Sequence, residues 1–425
     1  MLKILQNIWT IDELRSRVLF TLGMVAVFRL GCQIPTPGVD PEAVANVFQG
    51  QQGVLGFLNM FSGGALERFS VFSLGIAPYI NASIIMQLLV YVVPYLERLQ
   101  KEEGSEGRKK IQMYTKYGTV FLGSVQALGI STWLESMPGV VLPNMLGWKF
   151  TAMAVITLSA GTAFIMWLGE QMTSKGIGNG MSLLITVGIL ATFPAAIVET
   201  IQVTDFSNIP SVARITTITA ICLFVIAAIV YIQDGVRKIP IQHARRTAGG
   251  RTQGGLKSFI PLRVNMAGVI PIIFASSVMM FQYLQNLFQH DFFVTASIWF
   301  GYTHWFHISA YVLLIVFFTY FYTAIQLNPT EMAENLKKYG GFIPGIRAGR
   351  KTADFIDRIV TRITLCGALF LALVSIIPPL MTKYLNVTFY FGGTSLLIVV
   401  SVMLDTVRQM ESYMVTRHYE GFMRS

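Results

Sequence analysis

Nine stretches of this chain carry no Asp, Glu, Lys or Arg: 69–96, 117–134, 150–169, 176–198, 215–233, 264–290, 308–327, 363–382 and 384–404. Each is mostly apolar and about 18–28 residues long. About 20 apolar residues, rising 1.5 Å each, cross the hydrocarbon core of a bilayer. Each stretch therefore reads as a spanning helix. A tenth run, 18–34, is interrupted only by Arg29. One Arg inside a span costs roughly 2.5–3.5 kcal/mol on insertion scales, and snorkelling of its long stem lowers this. The run ends in Gln-Ile-Pro-Thr-Pro-Gly without a small-x-small cleavage site, so it reads as a span and not as a cleaved signal peptide.

Composition agrees. Of 425 residues, 53% are hydrophobic and 13% charged, against roughly a quarter charged in ordinary globular proteins. So little charge excludes a dispersed soluble domain and excludes intrinsic disorder. Net charge is +10, but its arrangement matters more than its size. With ten spans both termini lie on one side. The termini and the loops after even-numbered spans hold 27 of the 32 Lys and Arg residues. The opposite loops hold Arg68, Lys149, Arg214 and Lys383. The positive-inside rule then puts both termini in the cytoplasm.

One further charge-free window, 43–66, holds Asn46, Gln49, Gln51, Gln52, Asn59 and five glycines. Its last part, 56–66, is half-apolar and too short to span. It can dip into a protein-lined cavity, where irregular backbone is permitted. Two cytoplasmic loops, 234–263 and 328–362, are long, basic and rich in Gly and Pro. Topology needs a few charges, not loops of this length, so they read as a docking surface for an anionic partner. In the second loop, Pro344-Gly345 predicts a tight turn that presents Arg347.

Enzyme chemistry fails on inventory. There is no HExxH, no phosphate loop with GK[ST] and no pair of acidic residues deep in two spans. Cys32, Cys222 and Cys366 are an odd set in apolar runs, which excludes a disulfide framework. His304 and His307 lack acidic or cysteine neighbours in sequence, so they read as a polar loop and no metal or cofactor is expected. The acidic residues nearest the spans, Glu170, Asp234 and Asp405, sit at cytoplasmic ends, which offers no midplane proton relay. The spans carry polar softness instead: Ser73, Asn81, Ser83 and Gln87 in the second, Asn265, Ser276 and Ser277 in the seventh. Such residues often mediate helix contact. Ile76 and Ile80 share a helical face, as do Met181 and Ile185; periodicity alone does not separate a lipid-facing stripe from a pore-facing one.

Five motifs in register with the ten spans carry a resemblance: NMFSGGAL at 59–66, GIGNG at 176–180, VNMAGVIPIIFASS at 264–277, NLKKYGGFIPGIR at 335–347 and FYFGGTSLLIVV at 389–400. From about residue 14 to 420 the chain resembles bacterial SecY, the large subunit of the protein-conducting translocation channel. The resemblance implies an all-α polytopic membrane fold: ten transmembrane helices in two pseudo-symmetric five-helix halves (1–205 and 206–425) around a central pore. It implies a pore ring of Ile76, Ile80, Met181, Ile185, Ile273 and Ile398, softer at Met181 where relatives have Ile. It implies a re-entrant plug in 56–66 that includes Phe57, Asn59, Met60, Phe61, Ser62, Gly63 and Gly64. Asn81, Gln87, Asn265 and Phe281 match lateral-gate positions. Arg245, Arg246, Arg251, Lys257, Arg347, Arg350 and Lys351 are the expected docking residues.

The implied activity is passage of unfolded secretory polypeptides across the cytoplasmic membrane, with apolar segments released sideways into lipid. The implied partners are the small membrane subunits SecE and SecG, the SecA motor ATPase, the ribosome and the translocating polypeptide with its signal sequence. A different class, a secondary transporter or flippase for a small solute or lipid, stays open on the span count alone; uptake of a small solute without partners would favour it.

Overall fold

The computed structural model describes residues 11–50, 59, 62–137, 139–203, 209–243, 247–248, 251–252, 257–280, 304–385 and 393–423. The first helix, α1 (Asp12–Gly31), has Asp12 and Glu13 in its first turn and Arg29 in its last. That charge order favours the helix dipole. A short helix, α2 (Pro41–Gly50), follows. Residues 63–75 are turns, not helix, and α3 (Ala77–Val92) begins only afterwards. It stops at Val93 because Pro94 starts a new helix, α4 (Pro94–Lys101), bent 96° away. In α4, Leu96 and Leu99 are buried. On its wet face Lys101 pairs with Glu97 one turn back, 2.6 Å away, and this carboxylate raises the ammonium's pKa by hydrogen bond and charge.

The first half continues with α5 (Gly104–Glu135), α6 (Trp148–Lys175) and α7 (Gly180–Val203). Lys116 of α5 reaches Glu170 of α6 at 2.7 Å, tying the two helices together. Gly161 lets α6 lie against the turn region: a Cβ there would fall 2.0 Å from the Val71 carbonyl oxygen. Close approach through glycine is the usual way membrane helices pack without a hydrophobic drive between them.

The second half contains α8 (Ile209–Asp234), α9 (Ile270–Met280), α10 (Trp305–Gln326), α11 (Pro329–Lys338), α12 (Arg350–Leu385) and α13 (Gly393–Met423). Its core gathers Val225 and Ile229 of α8, Phe274 of α9, Phe318 of α10, Leu371 of α12 and Leu397 of α13. Buried hydroxyls there need no partner helix. Thr319 and Thr323 donate to the carbonyls of Ile315 and Thr319, one turn back, at 2.6 and 2.7 Å.

Among the described residues, α6, α8, α10 and α12 contain helices long and apolar enough to cross a membrane, and α3 with α4 makes a fifth if the bent pair is one span. Outward faces are apolar: Phe121, Val125 and Leu128 on α5, and Leu365, Leu369 and Leu373 on α12, are exposed at helical spacing. Stripes of this kind meet lipid. α5 and α13 are longer than a bilayer requires, at 32 and 31 residues, and each joins a charged part to one apolar window.

The two long basic loops hold β structure. Strands β1 (Val236–His243) and β4 (Lys257–Arg263) form an antiparallel hairpin, with β2 (Thr247–Ala248) and β3 (Arg251–Thr252) paired toward its tip. From the other loop, β5 (Gly341–Phe342) pairs with the far end of β1, Gln242 opposite Phe342 and His243 opposite Gly341. Ile239 and Leu262 of the hairpin and Ile343 beside β5 are buried on Ile356 and Val360 of α12. The loops are thus one platform seated on the start of α12.

Candidate pore, gate and docking surface

All six residues of the expected ring fall in one apolar cluster. Ile76 caps α3 and Ile80 lies one turn on; Met181 and Ile185 are one turn apart in α7; Ile273 comes from α9 and Ile398 from α13. Ile76, Ile185 and Ile398 are buried in it, and Ile80, Met181 and Ile273 pack against it half-buried. Four segments far apart in sequence therefore meet in one cluster without a hydrogen-bonding side chain among the six. Met181 differs from the others in direction: its sulfur lies over Gly169 of α6, where an added Cβ would be 2.5 Å away.

The same cluster takes in Ala65 and Phe72 from the turns before α3, with Phe28 and Cys32 from α1 and its cap. Of the expected plug, Asn59, Ser62, Gly63 and Gly64 are described, while Phe57, Met60 and Phe61 lie outside the described residues. The described part closes on itself. The Asn59 carbonyl accepts from the Gly64 N–H at 2.8 Å and from the Ser62 hydroxyl at 3.0 Å. Its side-chain oxygen accepts from the Glu67 N–H at 3.0 Å, and its amide donates to the Glu67 carboxylate at 3.1 Å. The Leu66 N–H donates to Ser62 Oγ at 3.2 Å. Irregular backbone at membrane depth is tolerated only when its polar groups are satisfied this way. Two outside donors complete the seat: Arg29 Nη1 donates to the Gly63 carbonyl at 2.8 Å, and Cys32 Sγ lies 3.7 Å from the Ser62 carbonyl. Sequence reading treated Arg29 as a tolerated charge and missed this partner.

At the expected gate, Asn81 and Gln87 are half-buried on α3, and neither amide has a hydrogen-bond partner among the described residues. Asn265 is buried and donates to the Gly268 carbonyl at 3.1 Å, bracing the turn that leads into α9. Phe281 lies outside the described residues. α3 touches α9, and Ile84 of α3 packs onto the core of the second half. At the α4 end of α3 the Tyr91 hydroxyl donates to the Ile325 carbonyl of α10 at 3.4 Å.

On the platform of the two basic loops, Ile343-Pro344-Gly345-Ile346 is a turn. The Ile346 N–H donates to the Ile343 carbonyl at 3.1 Å, with Gly345 at φ +82°. Arg347 follows it directly and is exposed, as are Arg350 and Lys351. The Thr352 hydroxyl holds the Arg347 carbonyl at 3.0 Å, so the backbone beneath that guanidinium is fixed. Arg251 and Lys257 belong to β3 and β4; Arg245 and Arg246 lie outside the described residues. At the hairpin base, Arg408 of α13 bridges Asp234 and Asp405, and Arg263 also reaches Asp405, at 3.6 Å.

Comparison with known proteins gives one answer. A family model described as SecY matches residues 70–407. The chain is similar to the protein translocase subunit SecY of Aquifex aeolicus, 44% identical over 425 residues and covering 99% of each chain. It is similar to that of Escherichia coli K12, 43% identical over 436 residues, covering 97% of this chain and 95% of the relative. Among solved structures it matches one titled "The structure of a protein conducting channel" with TM-score 0.64 and 19% identity, covering 95% of this chain and 93% of that one. It matches Sec61 from a canine ribosome-channel complex with TM-score 0.61 and 18% identity, at the same coverage.

Proposed function

This chain belongs to the SecY family and is a membrane channel for polypeptides, not an enzyme; from that premise we propose which of its residues conduct, seal and dock. The six-residue cluster of Ile76, Ile80, Met181, Ile185, Ile273 and Ile398 is the constriction. Six apolar side chains from four segments form a collar that water and ions avoid. Flexible aliphatic side chains part for an extended polypeptide and grip no particular sequence. Because Met181 leans on Gly169, the other five carry most of the seal. Residues 56–66 are the plug on its outer side. The seam of α3 against α9 and α10 is the lateral gate; Asn81 and Gln87, without a hydrogen-bond partner among the described residues, make it cheaper to wet than a packed apolar seam.

The ten-span, two-half layout, with 1–205 facing 206–425, is supported by the charge-free windows, and cytoplasmic termini by the charge distribution. The setting is the inner membrane of a bacterium, with SecE and SecG alongside. SecA or the ribosome drives transport from the platform of Arg251, Lys257, Arg347, Arg350 and Lys351, and Arg245 and Arg246, outside the described residues, share that docking role. The convergence of the six ring residues is the observation that carries this reading. Vesicles containing the assembled channel, given a motor ATPase, ATP and an unfolded preprotein, should protect that preprotein from added protease. Small-solute uptake without any partner, and no protected preprotein, would restore the transporter reading.

A further inference from the structure

We infer that Arg29 positions the plug: its guanidinium seats 62–66 on the collar through the Gly63 carbonyl, and loss of that bond is part of channel opening. This rests on the reading of 56–66 as a displaceable seal and adds the group that holds it.

Arg29 is the one cationic residue inside the ten apolar runs of the sequence, where position is expensive and usually has a reason. Its end of α1 could snorkel to the interface with no partner. Instead the guanidinium is turned onto the plug backbone, 2.8 Å from the Gly63 oxygen. That distance belongs to a strong, charge-assisted hydrogen bond. Among the described residues no carboxylate pairs with Arg29. A carbonyl acceptor holds the plug more weakly than a buried ion pair would, which suits a contact that has to release.

The seat is shaped for this contact. Gly63 has φ +72°, a conformation that only glycine adopts without strain. A Cβ on it would lie 3.0 Å from the Gly188 Cα and 3.2 Å from Arg29 Nη1. Gly188 stands three residues after Ile185 of the collar, on α7. The plug backbone is thus clamped between a charge on α1 and a bare stretch of α7, beside the constriction. Cys32, one turn past Arg29, adds a weaker contact to the Ser62 carbonyl. Outward motion of the plug breaks all three contacts together.

The test uses the assembled channel with Cys32, Cys222 and Cys366 replaced by alanine and Ser62→Cys as reporter. Two quantities are read: labelling of the reporter by a membrane-impermeant thiol reagent added outside, and resting ion conductance in planar bilayers. Arg29→Met keeps side-chain length and removes the donor. Losing a hydrogen bond of this class should speed resting labelling by about tenfold or more and raise resting conductance. Arg29→Lys should restore most of the slow labelling. Gly63→Ala attacks the same seat while leaving α1 untouched, and should also speed labelling, so failure of the Arg29 variants to insert would not end the test. Parental labelling rates in both Arg29→Met and Gly63→Ala overturn the assignment. An internal control separates the two levels: with a stalled preprotein in the otherwise unaltered channel, the reporter should label faster than at rest. If that acceleration is missing, the plug reading fails. If it is present and the variants label like the parent, Arg29 alone is excluded as the holder.

Discussion

The backbone N–H of Gly178 donates to Oε1 of Gln409 across 2.7 Å, although 231 residues separate them. Gly178 sits in the GIGNG turn between α6 and α7, and Gln409 on the last helix, α13. The turn is held from α1 as well: the Ile177 N–H donates to Thr21 Oγ1 at 3.1 Å, and Arg17 donates to the Gly176 carbonyl at 3.4 Å. Arg17 also lies over the Tyr413 ring, 5.1 Å from its centroid. The motif therefore ties the first helix to the last. Gln409→Leu leaves the Gly178 N–H without its acceptor, which costs about 1–3 kcal/mol for a buried donor. The purified channel should lose a few degrees of thermal stability in detergent, while Gln409→Glu, which keeps an acceptor, should lose less. Equal melting of both variants and the parent would show that the tie contributes nothing.

The collar should leak when it is made polar. Ile80→Asn combined with Ile185→Asn places two amides where six apolar side chains now meet, and a wetted constriction conducts ions. Planar-bilayer conductance of the double variant should rise well above that of the parent. Met181→Asn alone should leak less than Ile185→Asn alone, because Met181 is turned toward Gly169. A double variant as tight as the parent would remove these residues from the pore.

The Tyr91 hydroxyl is a polar stitch between α3 and α10, at the α4 end of the proposed gate seam. Tyr91→Phe removes it and keeps the ring, a change of about 0.5–1.5 kcal/mol at most for one exposed hydrogen bond. The gate should part more readily. Membrane insertion of test segments of marginal hydrophobicity should therefore increase up to about tenfold in the ratio of inserted to translocated chain. An unchanged ratio across a graded series of segments would show that the seam does not open at this end.

Arg347 should matter beyond its charge. Lys and Arg are numerous on the platform, so if each serves only topology, loss of one is nearly silent. Arg347, however, follows a fixed turn and is held by Thr352 through its carbonyl. A planar fork on a rigid backbone binds carboxylates, carbonyls or phosphates at low entropy cost. Arg347→Glu should leave membrane insertion intact and reduce motor-driven translocation in vesicles by at least about tenfold, roughly the worth of one charge-assisted contact. Arg350→Glu, matched in charge, should be milder. Identical behaviour of the two would reduce Arg347 to a topology charge.

Hydropathy found where chain enters the membrane but not how it is folded there. The window 69–96 is free of charge throughout, yet only Ala77–Val92 is the helix of that span. Ser73 Oγ donates to the carbonyls of Ala65 and Ser70 at 3.1 and 2.6 Å, so the turns before α3 satisfy their own polar groups and stay apolar outside. Pro94 then breaks the far end. That the six expected ring residues share a cluster is beyond the reach of periodicity, since the cluster joins segments hundreds of residues apart; only motif likeness grouped them. Two things left no trace in composition. The acceptor for Arg29 is a backbone carbonyl, which every residue has. The strand β5 is two residues long, too short for any alternation of side chains to announce it.

That short strand limits how the two long basic loops can change. Because Gln242 and His243 of one are paired with Phe342 and Gly341 of the other, neither loop sets its own shape. A chimaera that exchanges only one of them for a relative's must find the foreign strand in register with the resident one and the shared patch of Ile239, Leu262 and Ile343 intact. The two segments are therefore a single unit of exchange, and transplanting them together should succeed where transplanting either alone leaves both misplaced.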